Sequence, residues 1–172
     1  MTSRIICVVF IVLLTSCKSK TQMEQVLADM NKKNSFFDLY YLSSSNFYIT
    51  TKFSECGEWG GHKEGMKIFS DVKRKQYKLD YYKLSFDCEN VQNANIDTLV
   101  HKTILLNSHS QNAINKYLQE LVIAKVRSKF PGHSGNYFTA ASADSTFRIE
   151  LYDADKRNLK SYSHLLKKLR LN

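Results

Sequence analysis

Period-two alternation recurs three times between residues 46 and 88, with only short polar breaks between the runs. In Asn46 to Glu55, Phe47, Ile49, Thr51 and Phe53 alternate with Tyr48, Thr50, Lys52 and Ser54. Successive side chains of a strand point to opposite faces, so the pattern describes a half-buried strand. A second strand fits Lys63 to Val72, with Met66 and Ile68 on one face, and a third fits Gln76 to Cys88. In the third, Tyr77, Leu79 and Tyr81 hold one parity and Tyr82, Leu84, Phe86 and Cys88 the other, which predicts a bulge at Tyr81-Tyr82. Asp71 to Lys75 forms the tip between the second and third strands, and a glycine-rich stretch joins the first two. An up-down-up antiparallel meander is expected.

The rest of the chain supplies the layers that cover such a sheet. Glu89 to Asp97 is polar and reads as a loop, and Thr98 to Leu106 as a strand. Ser108-His109-Ser110-Gln111 has capping-box spacing, and Ile114, Tyr117, Leu118, Leu121 and Val122 follow at helical intervals. Lys125, Arg127 and Lys129 suit the negative end of that helix, which Pro131-Gly132 stops. Strands over Asn136 to Ala141 and Thr146 to Tyr152 flank the turn Ser142 to Ser145, and Lys156 to Leu171 is an amphipathic helix with Leu159, Tyr162, Leu165, Leu166 and Leu169 inward. Upstream, Thr21-Gln22-Met23-Glu24 caps a helix carrying Met23, Val26, Leu27 and Met30, and residues 35–42 suggest a short aromatic helix. The expected class is α+β: one domain over residues 21–172, with about five to six mainly antiparallel strands and helices on one side. A chain of 172 residues, 43% hydrophobic and 24% charged, suits that size.

The N-terminus, MTSRIICVVFIVLLTSC, pairs Arg4 with the apolar run Ile5 to Leu14, too short to span a bilayer as a mature helix. Leu14-Thr15-Ser16-Cys17 resembles the lipobox of bacterial lipoproteins. The resemblance covers residues 1–17 only. It implies a signal peptide over 1–16, lipidation at Cys17 with fatty chains such as palmitate, and a short tether over 17–20. Each buried methylene adds about 0.8 kcal/mol, so several acyl chains hold a protein on a membrane durably. Lys18 stands where an aspartate would resemble an inner-membrane retention signal, which favours the outer membrane of the cell envelope. Removal of Cys7 and acylation of Cys17 would leave Cys56 and Cys88. An oxidising envelope makes this pair a disulfide candidate; two free thiols are the alternative in an anaerobe.

Residues 54 to 65, SECGEWGGHKEG, hold four of the six glycines and the only tryptophan. As a site, the stretch would offer Trp59 as an apolar platform and Glu58, His62 and Glu64 as polar partners for a ligand or protein. As a turn, its glycines serve a tight connection between antiparallel strands. Phosphate-loop spacing is absent, and Cys56 with His62 gives too few ligands for zinc, so no metal or cofactor is expected. Gly132-His133-Ser134-Gly135-Asn136 misses the nucleophile-elbow spacing, and Ser70-Asp71-Val72-Lys73 lacks the companions of penicillin-recognising enzymes.

Charge is the remaining signal. The formal balance of +9 falls to +8 without Arg4, and Lys156, Arg157, Lys160, Lys167, Lys168 and Arg170 crowd the last helix with no acid after Asp155. An envelope address directs such a face away from nucleic acid and toward headgroups, an acidic protein or an anionic surface polymer. The expectation is a lipid-anchored, non-enzymatic binding or interaction module, of immunity or inhibitor type in its most specific form. An envelope hydrolase using Glu58, His62 and Glu64 is the alternative, and a structural subunit of an envelope assembly the third reading.

Overall fold

The computed structural model describes residues 46–57, 60–71, 73, 76–89, 96–128, 135–153 and 156–172, all within one compact unit. The expectations for the lipobox, the helices before residue 46, Glu58, Trp59, Lys129 and Pro131-Gly132 lie outside these residues. Six strands form one open antiparallel sheet: β1 (Phe47–Lys52), β2 (Lys63–Asp71), β3 (Gln76–Leu84), β4 (Thr98–Leu106), β5 (Asn136–Ser142) and β6 (Arg148–Asp153). Helix α1 (Ser108–Arg127) follows β4, and α2 (Arg157–Leu169) follows β6. Strand order is β4-β3-β2-β1-β5-β6, so the expected meander forms one half of the sheet and the β5–β6 hairpin adds to the free side of β1. The architecture is α+β.

Alternation fixes which face is covered. Phe47, Ile49 and Thr51 lie opposite Ile68, Met66 and Glu64 of β2 and opposite Ser142, Ala140 and Phe138 of β5. These residues are buried, as are Leu79 and Tyr81 of β3 and Ile149 and Leu151 of β6. Ile114, Tyr117, Leu118 and Leu121 of α1, with Tyr162, Leu165 and Leu169 of α2, complete the core. Their spacing of three and four residues makes one stripe per helix, and each fully buried leucine or isoleucine contributes about 1.5–3 kcal/mol. The Tyr162 ring lies 5.9 Å from Tyr117 and 6.1 Å from Phe138, joining both helices to the sheet.

Several local expectations are corrected. No bulge interrupts Tyr81-Tyr82: they pair in step with Met66 and Gly65. The parity slip arises because aromatic rings occupy both faces. Tyr81 enters the core, while Tyr82 lies over Gly65 on the other face, where an added Cβ would come within 2.1 Å of the ring. Glycine is therefore required there by close approach. The register shift lies at Lys83/Leu84, against β4, where β3 ends four residues earlier than its alternation suggests. The cap of α1 is Asn107, not Ser108: its Oδ1 accepts the Ser110 N–H at 2.9 Å. β1 stops at Lys52, and the last hairpin bends at 143–147, with β6 starting at Arg148.

Candidate functional site

Residues 53–62 join β1 to β2 and carry the stretch singled out by its glycines. Phe53 N–H donates to the His62 carbonyl at 3.0 Å, extending the ladder by one pair. The chain then turns through Gly57 N–H to Ser54 O, Gly60 N–H to Gly57 O and Cys56 N–H to Gly60 O. Gly57 and Gly60 have φ of 64° and 91°, the left-handed region that glycine enters without penalty. At Gly60 the missing side chain also makes room for Lys52. The glycines thus do what a tight strand connection needs. Cys56 forms a disulfide with Cys88 at a Cα–Cα distance of 5.4 Å, tying this connection to the segment after β3.

Two of the expected site residues, His62 and Glu64, are brought together. His62 Nδ1 lies 2.7 Å from the Glu55 carboxylate, and Nε2 lies 3.1 Å from Glu64 Oε1. A carboxylate only accepts, so the arrangement is complete when both ring nitrogens carry hydrogen. Lys83 Nζ, directly across the strand pair, is 3.3 Å from the same Glu64 oxygen. Glu55, His62, Glu64 and Lys83 therefore form one connected network. The His62 ring stacks on Phe53 with centroids 4.0 Å apart, and Glu55 also accepts the His62 backbone N–H at 3.1 Å. Burial pushes the Glu55 carboxyl up, but the His62 hydrogen bonds and the His62 and Lys83 charges more than offset this and leave it lowered.

Glu64 belongs to the core, at 4% exposure. Burial, followed by the charge of Glu64, raises the hydroxyls of both Tyr81 and Tyr162 above the usual phenol range. Tyr162 Oη and Glu64 Oε2 stop short of hydrogen-bond geometry, and both are enclosed without a partner among the described residues, like Tyr117 Oη and Thr51 Oγ1. Sequence reasoning missed Lys83, Tyr81 and Tyr162. Lys83 was reachable: the Asp71–Gln76 closing pair of the hairpin, counted outward in step, brings Glu64 opposite Lys83. Glu55 and Glu64 meet opposite nitrogens of one ring, so they do not converge on a common ion, and among the described residues no metal-holding cluster forms. Acid–base chemistry at His62 on an external substrate would first require breaking one of these bonds.

The second polar region lies between the helices. The solvent side of the α1–α2 seam opens into two adjoining hollows of about 280 and 590 Å³. His109, Lys116, Glu120 and Arg127 of α1, with Arg157, Lys160, Ser161, His164 and Lys168 of α2, line it. The cluster expected at the last helix is thus divided, three of its six cations turning into this seam. Among the described residues Glu120 is the only acid lining it, and the Ser161 hydroxyl donates to it. At the β2–β3 hairpin, by contrast, Lys78 Nζ is paired with Asp71 at 2.8 Å.

The tyrosines concentrated in the sheet could offer an aromatic surface to a partner or be packed with the hydroxyl at the rim; Tyr81 is core, and Tyr48, Tyr77 and Tyr82 are half-buried. Large apolar side chains are exposed at Leu99 and Leu105 of edge strand β4 and at Val122, Ile123 and Val126 of α1. No described helix is long and apolar enough to cross a membrane. Comparisons with protein-family models, with curated proteins and with solved structures find no match, so no residue role is transferred from a relative.

Proposed function

We propose that this chain is a lipid-anchored protein of the cell envelope, held at the outer membrane by Cys17, that works as a non-enzymatic binding module for an acidic partner. The observation that carries this reading is the different use of charge in the two polar regions. Around Glu64 the polar groups engage one another, whereas along the seam Lys116, Arg127, Lys160 and Lys168 are exposed to solvent, with Glu120 the one acid among the described lining residues. Clustered cations of this kind steer an anionic partner and set its orientation. An immunity or inhibitor role, in which the partner is an acidic toxin or hydrolase, is the most specific form of the proposal.

Envelope hydrolysis is the second reading, supported by the convergence of Glu55, His62 and Glu64. The enclosure of Glu64 and the engagement of both His62 nitrogens weigh against it.

The test has two parts. Incorporation of labelled palmitate, lost on Cys17→Ser, checks the anchor. Capture from an envelope extract on the immobilised protein, followed by reconstitution with the purified captured protein, checks the module. A saturable complex that weakens steeply with salt supports the proposal. Turnover of an envelope polymer, abolished by Glu64→Gln in a folded variant, would replace it with the hydrolase.

A further inference from the structure

The seam has a shape and a pattern beyond its charge. It follows α1 from His109 to Arg127, roughly 27 Å at 1.5 Å per residue. The row facing it reads Lys116, Glu120, Ile123, Arg127, at helical spacing: cation, acid, apolar, cation. Ala113 and Ala124 keep the floor low, and Ile123 on the same row stays 48% exposed. Val122 and Val126 are also exposed, at 41% and 81%, on the neighbouring face of α1 outside the hollows.

Each feature narrows the occupant. Cations on both walls call for acidic groups along the ligand's length. An apolar strip calls for a ligand with an apolar side, which a uniformly charged polymer lacks. Glu120 at the centre would repel an even row of anions but is met without loss by a ligand whose charges skip that point. A concave crevice between two antiparallel helices fits a third rod better than a flat bilayer surface. We infer that the α1–α2 seam is a docking groove for an amphipathic acidic helix of a protein partner, seated with its apolar side on Ile123 and its carboxylates against Lys116, Lys160, Lys168 and Arg127. This is helix-in-groove recognition with charged rims. The inference rests on the binding-module reading and specifies its partner.

The test is an NMR titration of the 15N-labelled protein with an 18-residue synthetic peptide bearing leucine on one helical face and glutamate on the other. Saturable shifts confined to α1 and α2, with affinity falling at least tenfold in Lys116→Glu/Lys160→Glu and at least threefold in Ile123→Asp, are expected. Poly-glutamate of equal length should bind at least tenfold more weakly than the peptide. Equal binding of poly-glutamate would overturn the inference in favour of a charge patch. Shifts of the same residues by phosphatidylglycerol vesicles that displace the peptide would overturn it in favour of a membrane surface, and shifts elsewhere, or none, would remove the groove. These failures differ from failure of the module reading: an acidic partner that still binds Lys116→Glu/Lys160→Glu eliminates the seam and leaves the module.

Discussion

The hairpin end and the helix seam use the same side-chain types to opposite ends. At the hairpin, His62 lies 2.7 Å from Glu55 and 3.1 Å from Glu64, and Lys83 lies 3.3 Å from Glu64, so these groups engage one another. Along the seam, cations project from two helices, and among the described lining residues Glu120, held by Ser161, is the one acid. Backbone geometry produces the difference. Cross-strand neighbours in a sheet are directly opposed, so a hairpin register forces charges to meet. Two antiparallel helices, the second with no acid in its sequence, leave Lys116, Lys160 and Lys168 without an acid directly opposed to them among the described residues. A cluster of polar residues is thus not a site because it is dense; its charges must remain available to something else.

This contrast can be broken at several points. Removing the disulfide with Cys56→Ser/Cys88→Ser should have the largest effect, roughly 3–4 kcal/mol from loop-closure entropy, read by urea unfolding. A loss below 1 kcal/mol would mean that the hairpin end is held without it. Glu64→Gln leaves Lys83 and His62 facing an uncharged group, with an expected loss of about 3 kcal/mol, at the lower end for a broken buried pair because Lys83 can turn to water. Tyr162→Phe sharpens the inner region further. Since the Tyr162 hydroxyl is enclosed without a partner among the described residues, its removal should be neutral or stabilising by up to about 1 kcal/mol. Clear destabilisation would instead reveal a hydrogen bond to Glu64.

Acid supplies a smaller effect. The folded Glu55 carboxyl titrates below its usual range, so its contribution is complete above the unfolded value, near pH 4.3, and is lost as pH falls through the folded value. Glu55→Gln should flatten that part of the stability curve without steepening any other. The smallest effect belongs to the seam: Lys116→Gln/Lys160→Gln should change stability by less than about 0.5 kcal/mol, because both side chains are exposed.

Much of the fold was legible from periodicity. Alternation located the strands because their two faces differ, and helical spacing located α1 and α2 because each buries one stripe. The errors have local causes. Asn107 and Ser108 are both good caps, and only the backbone decides between them. Tyr81 and Tyr82 break the alternation because the face opposite the helices also carries aromatic rings, one of them over Gly65. His62 and Glu64 were legible as polar residues in a strand connection. Their enclosure was not, since it depends on Lys83 from the next strand and on Tyr162 from the last helix. The seam was visible only as a basic helix; its second wall comes from α1, which sequence patterning places on the sheet but not beside α2.

The most direct measurement is urea unfolding of Glu64→Gln beside Lys116→Gln/Lys160→Gln under identical conditions. We expect the inner substitution to lower the midpoint by more than about 1 M, for a typical dependence of 1–3 kcal/mol per molar urea, and the seam pair to leave it unchanged. Equal losses, or a stable Glu64→Gln beside a weakened seam pair, would contradict the division of the molecule into charges that hold the fold and charges that await a partner.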